Sequence, residues 1–233
     1  MADKPDSLYE AAYSHIKEFL LHSNIHPGQK IPHLELGSKL GISLTPLREA
    51  FFRLSAEGLL SHQKHRGFFV PEIGLAEAEE LYEVREVIEP YLVEKAAKRR
   101  TEHQLKTLQE SLNAYKRMTP EPHSRTRLMV DKAFHMELFK LGDNRSLMQL
   151  LDRVFDQLII RRKLEHLPPG RAFDAYQEHL EIYNAVDKKN AKAAGRLTRS
   201  HVRSAKKFVL GDLTQREKLH WSSELRSVRA PVA

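Results

Sequence analysis

PGQKIPHLELGSKLGISLTPLREAFFRLSAEGLLSHQKHRGFFV, residues 27–70, packs a series of structural signals into a short span. Pro27-Gly28 marks a turn, because neither residue readily continues a helix. Lys30-Ile31-Pro32 reads as strand-like, and Leu34, Leu36 and Leu40 give a short helix that stops at Gly41, where a positive φ is tolerated. In Ser43-Leu44-Thr45-Pro46, Thr45 is placed to cap a third helix with Pro46 in its first turn, since proline lacks only an amide that would be unpaired there. That helix runs to about Glu57-Gly58. Leu59-Leu60 and Phe68-Phe69-Val70 flank a basic turn and read as two strands. Upstream, Leu8, Ala12, Ile16, Phe19 and Leu20 recur at helical spacing and set a first helix over about residues 7–23. Three helices followed by a hairpin describe a winged helix-turn-helix, expected over residues 1–71.

In such an arrangement the third helix enters a DNA major groove. Thr45, Arg48 and Arg53 are its candidate contacts, with Arg48 able to fork onto the acceptors of a guanine. Lys64, His65 and Arg66 in the wing turn would reach a neighbouring minor groove or backbone. Charge alone does not make this case: the formal net charge is +7 overall, but residues 1–70 carry eight Lys and Arg against seven acids. The motifs carry it. With PG near the end of the first helix, S-x-TP-x-REA from Ser43, L-x-x-EGLL from Leu54 and RGFFV from Arg66 in register, the stretch closely resembles the DNA-binding domain of the GntR family of bacterial regulators. The resemblance implies that Ser43, Thr45, Arg48 and the wing face DNA. Where that family usually has Arg between the Ser and the Thr, this chain has Leu44, which implies one base or phosphate contact fewer.

From Leu75 onward strand patterns vanish. Helices are expected at about 75–99, 102–118, 124–142, 144–166, 171–188 and 190–210, so residues 75–211 should form an all-α bundle. Residues 212–233 are polar apart from Trp221 and Leu225 and read as a frayed extension or an arm onto a partner. Asp131 and His135, four apart, share one helix face. His179 lies on a stripe with Ala175, Ile182 and Val186, and His201 on one with Ala194, Leu197, Ala205 and Phe208. Three imidazoles and a carboxylate on inward faces suit a divalent metal with open positions, since buried polar groups need partners. Without cysteine the ligands are nitrogen and oxygen; zinc ranks first, with nickel or manganese as alternatives.

DKAFH, LGDNRSL and EHLEIYNAV followed by DKKNAKAAGRLTRSHV resemble the FCD ligand-binding domain of the FadR subgroup, and six helices suit its shorter, VanR-like branch. That resemblance implies that Asp131, His135, His179 and His201 are metal ligands, and that Arg85 faces a cavity for a carboxylate effector. The ordinary alternative for Arg85 is a salt bridge to Glu89. Arg161 and Arg162 are further effector candidates between which periodicity does not choose.

The resulting expectation is a mainly α, homodimeric, cytoplasmic regulator that binds a double-stranded DNA operator and a small organic acid, with no membrane partner. No uncharged run approaches the roughly 20 residues that span a bilayer, and the absence of cysteine suits a reducing compartment. Two readings compete: a metal-dependent hydrolase, for which no general base accompanies the ligands, and a regulator whose metal is structural or is itself the signal.

Overall fold

The computed structural model describes residues 8–23, 25–121, 124–163 and 171–228, the stretch from 220 onward as helix backbone only. Among the described residues the order is α1 (Leu8–His22), α2 (His33–Leu40), α3 (Leu44–Ala56), β1 (Ser61–Gln63), β2 (Gly67–Phe69), α4 (Leu75–Arg99), α5 (Glu102–Met118), α6 (Arg125–Leu141), α7 (Arg145–Ile160), α8 (Arg171–Asp187) and α9 (Ala191–Val228). The chain is mainly α, with one small antiparallel hairpin in which Ser61 pairs with Phe69 and Gln63 with Gly67.

The α2–α3 turn is tight for two reasons. Gly41 takes φ +65° and returns its amide toward the carbonyls of Gly37 and Ser38. Gly37 lets α3 approach, since a Cβ there would stand 2.5 Å from Leu47 Cδ2. The start of α3 corrects the sequence reading: Ser43, not Thr45, is the N-cap, with extended backbone and no side-chain cap bond. Proline is tolerated throughout a first turn, so Pro46 did not pin the boundary. The wing turn places His65 at φ +62°, and Lys30 bridges to Phe69, adding a short third edge to the hairpin.

Two further boundaries differ from expectation. Helix α7 stops at Ile160, and the Arg161 carbonyl instead accepts from the Ile73 amide at 3.1 Å, receiving the linker strand; residues 164–166 lie outside the described residues. Helix α9 continues to Val228, because the polar stretch after Gly211 has good helix formers and no proline before Pro231.

The winged unit is fastened to the helical bundle rather than hung from it. Ile16, Leu20, Leu47, Phe51, Leu54 and Phe68 form its core, and Ile159 and Ile160 of α7 complete it. Arg125 of α6 donates to the carbonyls of Leu20, Ser23 and Ile25, capping the end of α1. Between α1, α6 and α7 lies a charged cluster: Lys17 and Lys132 each reach Asp156 at 2.5 Å, and they reach Asp152 at 3.1 and 2.6 Å. Burial pulls the Lys17 pKa down, but Asp156 and Asp152 more than offset it and raise it. The bundle has its own core around Leu92, Leu108, Phe134, Phe139, Leu151 and Ile182.

Candidate functional site

The first half of α3 and the wing share one groove, lined among others by Lys30, Leu44, Arg48, His62, His65 and Arg66. Ser43, Leu44, Thr45 and Arg48 are exposed on its helical side, and Lys64, His65 and Arg66 on the wing. Leu44, 58% exposed, packs on little, so the residue that departs from the family pattern stands in the open at the tip of the helix. Lys30 and His62 join this surface without having been expected there. The strand-like reading of Lys30-Ile31-Pro32 was the available signal, because a strand beside the hairpin presents its alternate side chains with those of the wing.

Arg53 is placed elsewhere. Its guanidinium meets Glu10 at 2.9 Å and Glu57 at 3.2 Å and lies 4.0 Å from the Tyr13 ring centroid, tying α3 to α1.

In the bundle, α6, α8 and α9 bring His135, His179 and His201 together, with ring nitrogens within 4.8 Å of one another and all three side chains buried. His179 Nε2 and His201 Nε2 are 3.3 Å apart. Two nitrogens each about 2.05 Å from one tetrahedral ion would be separated by roughly 3.3 Å, so the spacing fits a shared metal. Asp131, partly exposed, stands 3.6 Å from His179 Nε2 and 4.0 Å from His135 Nε2. Its helix therefore offers a carboxylate to the same point.

Glu178 and Glu89 stand behind the rings. Glu178 accepts from His201 Nδ1 at 2.6 Å, which leaves His201 Nε2 with its lone pair toward the cluster. Glu89 approaches His135 Nδ1 at 3.3 Å, while its other oxygen accepts from Arg85 Nε at 2.5 Å. Carboxylates behind ligating imidazoles fix tautomer and ring orientation. Among the described residues, His135 Nε2 has no hydrogen-bond partner although buried; a metal ion would satisfy it. The four predicted ligands thus fit a divalent late first-row ion, which would supply Lewis acidity and coordination positions for an anionic ligand.

Burial, with His201 and His135 adjacent, pushes the His179 pKa well below 6.5. Burial also lowers His201, the Glu178 hydrogen bond opposing it. Burial raises Glu89, but Arg85 and His135 overcome this and hold it at about 2. Both histidines are therefore neutral in the fold, whereas the unfolded chain takes up protons near 6.5. Below that pH the unfolded state binds more protons, so stability declines as pH falls. The metal-free protein is expected to melt at progressively lower temperature between pH 7.5 and 5.5, and His179→Ala should flatten that dependence in a thermal scan. Parallel slopes would show that these rings are not the cause.

Beside the cluster is a cavity of about 70 Å³, lined by Tyr82, Arg85, Arg127, Asp131, Arg162 and His201 among others. Arg85 both lines it and pairs with Glu89, so the two roles considered for it coexist. The structure separates the adjacent arginines: Arg162 lines the cavity, whereas Arg161 forks onto Glu77 with two 2.6 Å bonds.

A winged helix-turn-helix fastened to a helical bundle with an arginine-lined cavity is the architecture of a DNA-binding transcriptional regulator. Residues 8–70 match the bacterial regulatory proteins of the gntR family, and residues 80–204, more than half of the chain, match the FCD domain. The chain belongs to the GntR family of bacterial regulators that carry a C-terminal FCD domain.

Relatives include the uncharacterized HTH-type transcriptional regulator YdhC of Bacillus subtilis, 28% identical over 85% of this chain and 89% of that one. The HTH-type transcriptional repressor RspR of Escherichia coli is 23% identical over 91% and 92%. Among solved structures, E. coli McbR/YncC superposes with a TM-score of 0.77 at 20% identity, covering 91% of this chain and 99% of that one. A GntR regulator from Rhodococcus sp. RHA1 gives 0.74 at 22%, covering 87% and 97%. These relatives are regulators, which removes the hydrolase reading. No helix among the described residues is long and apolar enough to cross a membrane.

Proposed function

We propose that the protein is a cytoplasmic, homodimeric regulator whose operator affinity is set by a small carboxylate bound beside a divalent metal held by Asp131, His135, His179 and His201. The observation that carries this reading is the convergence of three buried imidazoles, two backed by carboxylates, beside an arginine-lined cavity that His201 and Asp131 help to line. Zinc is the first choice of ion, nickel or manganese the alternatives. Residues 1–71 form the DNA-binding unit, 75–211 the sensing unit, and 212–233 a tail whose described part, to Val228, continues the last helix. The FadR subgroup, in its VanR-like branch, is the assignment this division favours.

Helix α6 supplies a route between the two functions. One side of it bears Asp131 and His135, and another bears Arg125 and Lys132, which hold α1 and the α7 carboxylates. A ligand that shifts α6 would change the seating of the winged unit, which is the differential contact an allosteric switch requires. Two-fold symmetry doubles the few base pairs that one recognition helix reads, and Val87 and Tyr91 form an exposed apolar ridge on α4 that supports self-association.

Arg48→Ala is expected to weaken binding to a selected operator by about 1–3 kcal/mol with the fold intact, and Arg66→Ala to weaken binding across sequences. Leu44→Arg should add a contact: if it falls on phosphate, the salt dependence steepens by about one unit. Gel shifts over a salt series check all three. Unchanged affinity in Arg48→Ala would place another surface on the DNA.

A further inference from the structure

The cavity beside the histidine cluster contains a buried arginine with two donors that no hydrogen-bond partner among the described residues meets. Four arginines line the space: Arg85, Arg127, Arg162 and Arg171. Arg85 is paired with Glu89, and Arg171 with Glu178 at 2.7 Å. Arg127 donates to the Glu121 carbonyl at 3.0 Å. Arg162 differs from these: it is only 5% exposed, and neither its Nε nor its Nη2 has a hydrogen-bond partner among the described residues. Asp212, which attracts it electrostatically, is engaged through both oxygens by Arg216 at 3.1 Å. A buried guanidinium with two unpartnered donors is destabilising, so its retention in a ligand cavity calls for an anion that completes it.

The two open donors also define the shape of that anion. Nε–H and Nη2–H lie on the same edge of the guanidinium and point in parallel, matching the two oxygens of one carboxylate. The apolar wall contributed by Ala205, Phe208 and Val209 suits a short methylene chain.

We propose that the effector is a compact dicarboxylate, one carboxylate directed to the histidine cluster and the second forked onto Arg162. This rests on the reading of the cavity as the effector site and adds to it the chemical class of the ligand.

Isothermal titration of the full-length protein with one equivalent of zinc, using matched probes, separates the two claims. Succinate is compared with butyrate, glutarate with valerate, and 2-phosphoglycolate tests whether a phosphoryl group takes the second position. The dicarboxylate of at least one pair is expected to bind tenfold or more tightly than its monocarboxylate. Arg162→Gln should narrow that ratio to within about twofold, and Arg162→Lys, which keeps charge without the fork, should narrow it nearly as far. Equal binding of both members of each pair by the wild type overturns the dicarboxylate assignment while leaving the effector reading standing, and it does so without reference to whether either variant folds. A persistent tenfold ratio in folded Arg162→Gln removes Arg162 from the site. Tighter binding of 2-phosphoglycolate than of any dicarboxylate overturns the class of the second anion. If neither acid class binds, or if His179→Ala binds as the wild type does, the effector reading itself fails.

Discussion

Chelation is expected to lower the melting temperature of the protein by roughly 5–10 °C, and His179→Ala or His201→Ala to abolish most of that difference. An ion present at a hundred times its dissociation constant stabilises the native state by about 2.7 kcal/mol, and about 1 kcal/mol moves the midpoint of a chain this long by roughly 2–4 °C. The effect should be large because two of the imidazoles are held in place by carboxylates. Glu178 orients His201, and Glu89 stands behind His135, which limits the side-chain freedom lost on binding. Removing His179 takes away a ligand that is fully buried and leaves a small apolar side chain against Phe134 and Tyr115. The variant should still bind DNA, since the core of the winged unit does not include that position. A wild type that melts at the same temperature with and without chelator would mean that no ion contributes to the native state.

Asp156→Ala should destabilise the metal-free protein by about 1–3 kcal/mol, because a buried carboxylate bridging two lysines is lost and Asp152 alone is left to answer both charges. Asp156 is fully buried between Lys17 of α1 and Lys132 of α6. Asp152 touches the same two lysines, but its side chain is 33% exposed, so Asp152→Ala should cost about 1 kcal/mol or less. Comparing the two variants by urea unfolding isolates burial from charge; equal costs would contradict the account. The same cluster ties the winged unit to the helix that bears Asp131 and His135. Asp156→Ala is therefore also expected to weaken the coupling between carboxylate binding and operator affinity.

What was legible in the sequence, and what was not, follows the range of the interactions. Asp131 and His135 are one helical turn apart, and His179 and His201 each sit on a local apolar stripe, so periodicity alone could aim all four inward. The carboxylates behind them were hidden. Glu178 precedes His179 in the chain but serves His201, across the α8–α9 contact, and Glu89 was legible only as a partner of Arg85, four residues away. Arg53 illustrates the same limit. Its place on α3 made it a candidate for DNA, yet its partner Glu10 lies on α1, 43 residues earlier. Arg161 and Arg162 are neighbours that a helical reading would separate by about 100°; because α7 ends at Ile160, the chain leaves the helix there and sends one to Glu77 and the other into the cavity. The start of α3 was displaced because Ser43 and Thr45 are both competent caps, and local chemistry does not choose between them.

The most direct test of the central claim is the metal content of the chain. Protein purified without a histidine tag, loaded in turn with zinc, nickel and manganese and desalted, can be assayed by plasma mass spectrometry beside the His135→Ala, His179→Ala, His201→Ala triple variant. Close to one ion per chain is expected in the wild type for at least one of these metals, and close to none in the variant. A wild type that retains no metal under any of the three loadings, or a triple variant that retains as much, would contradict the claim.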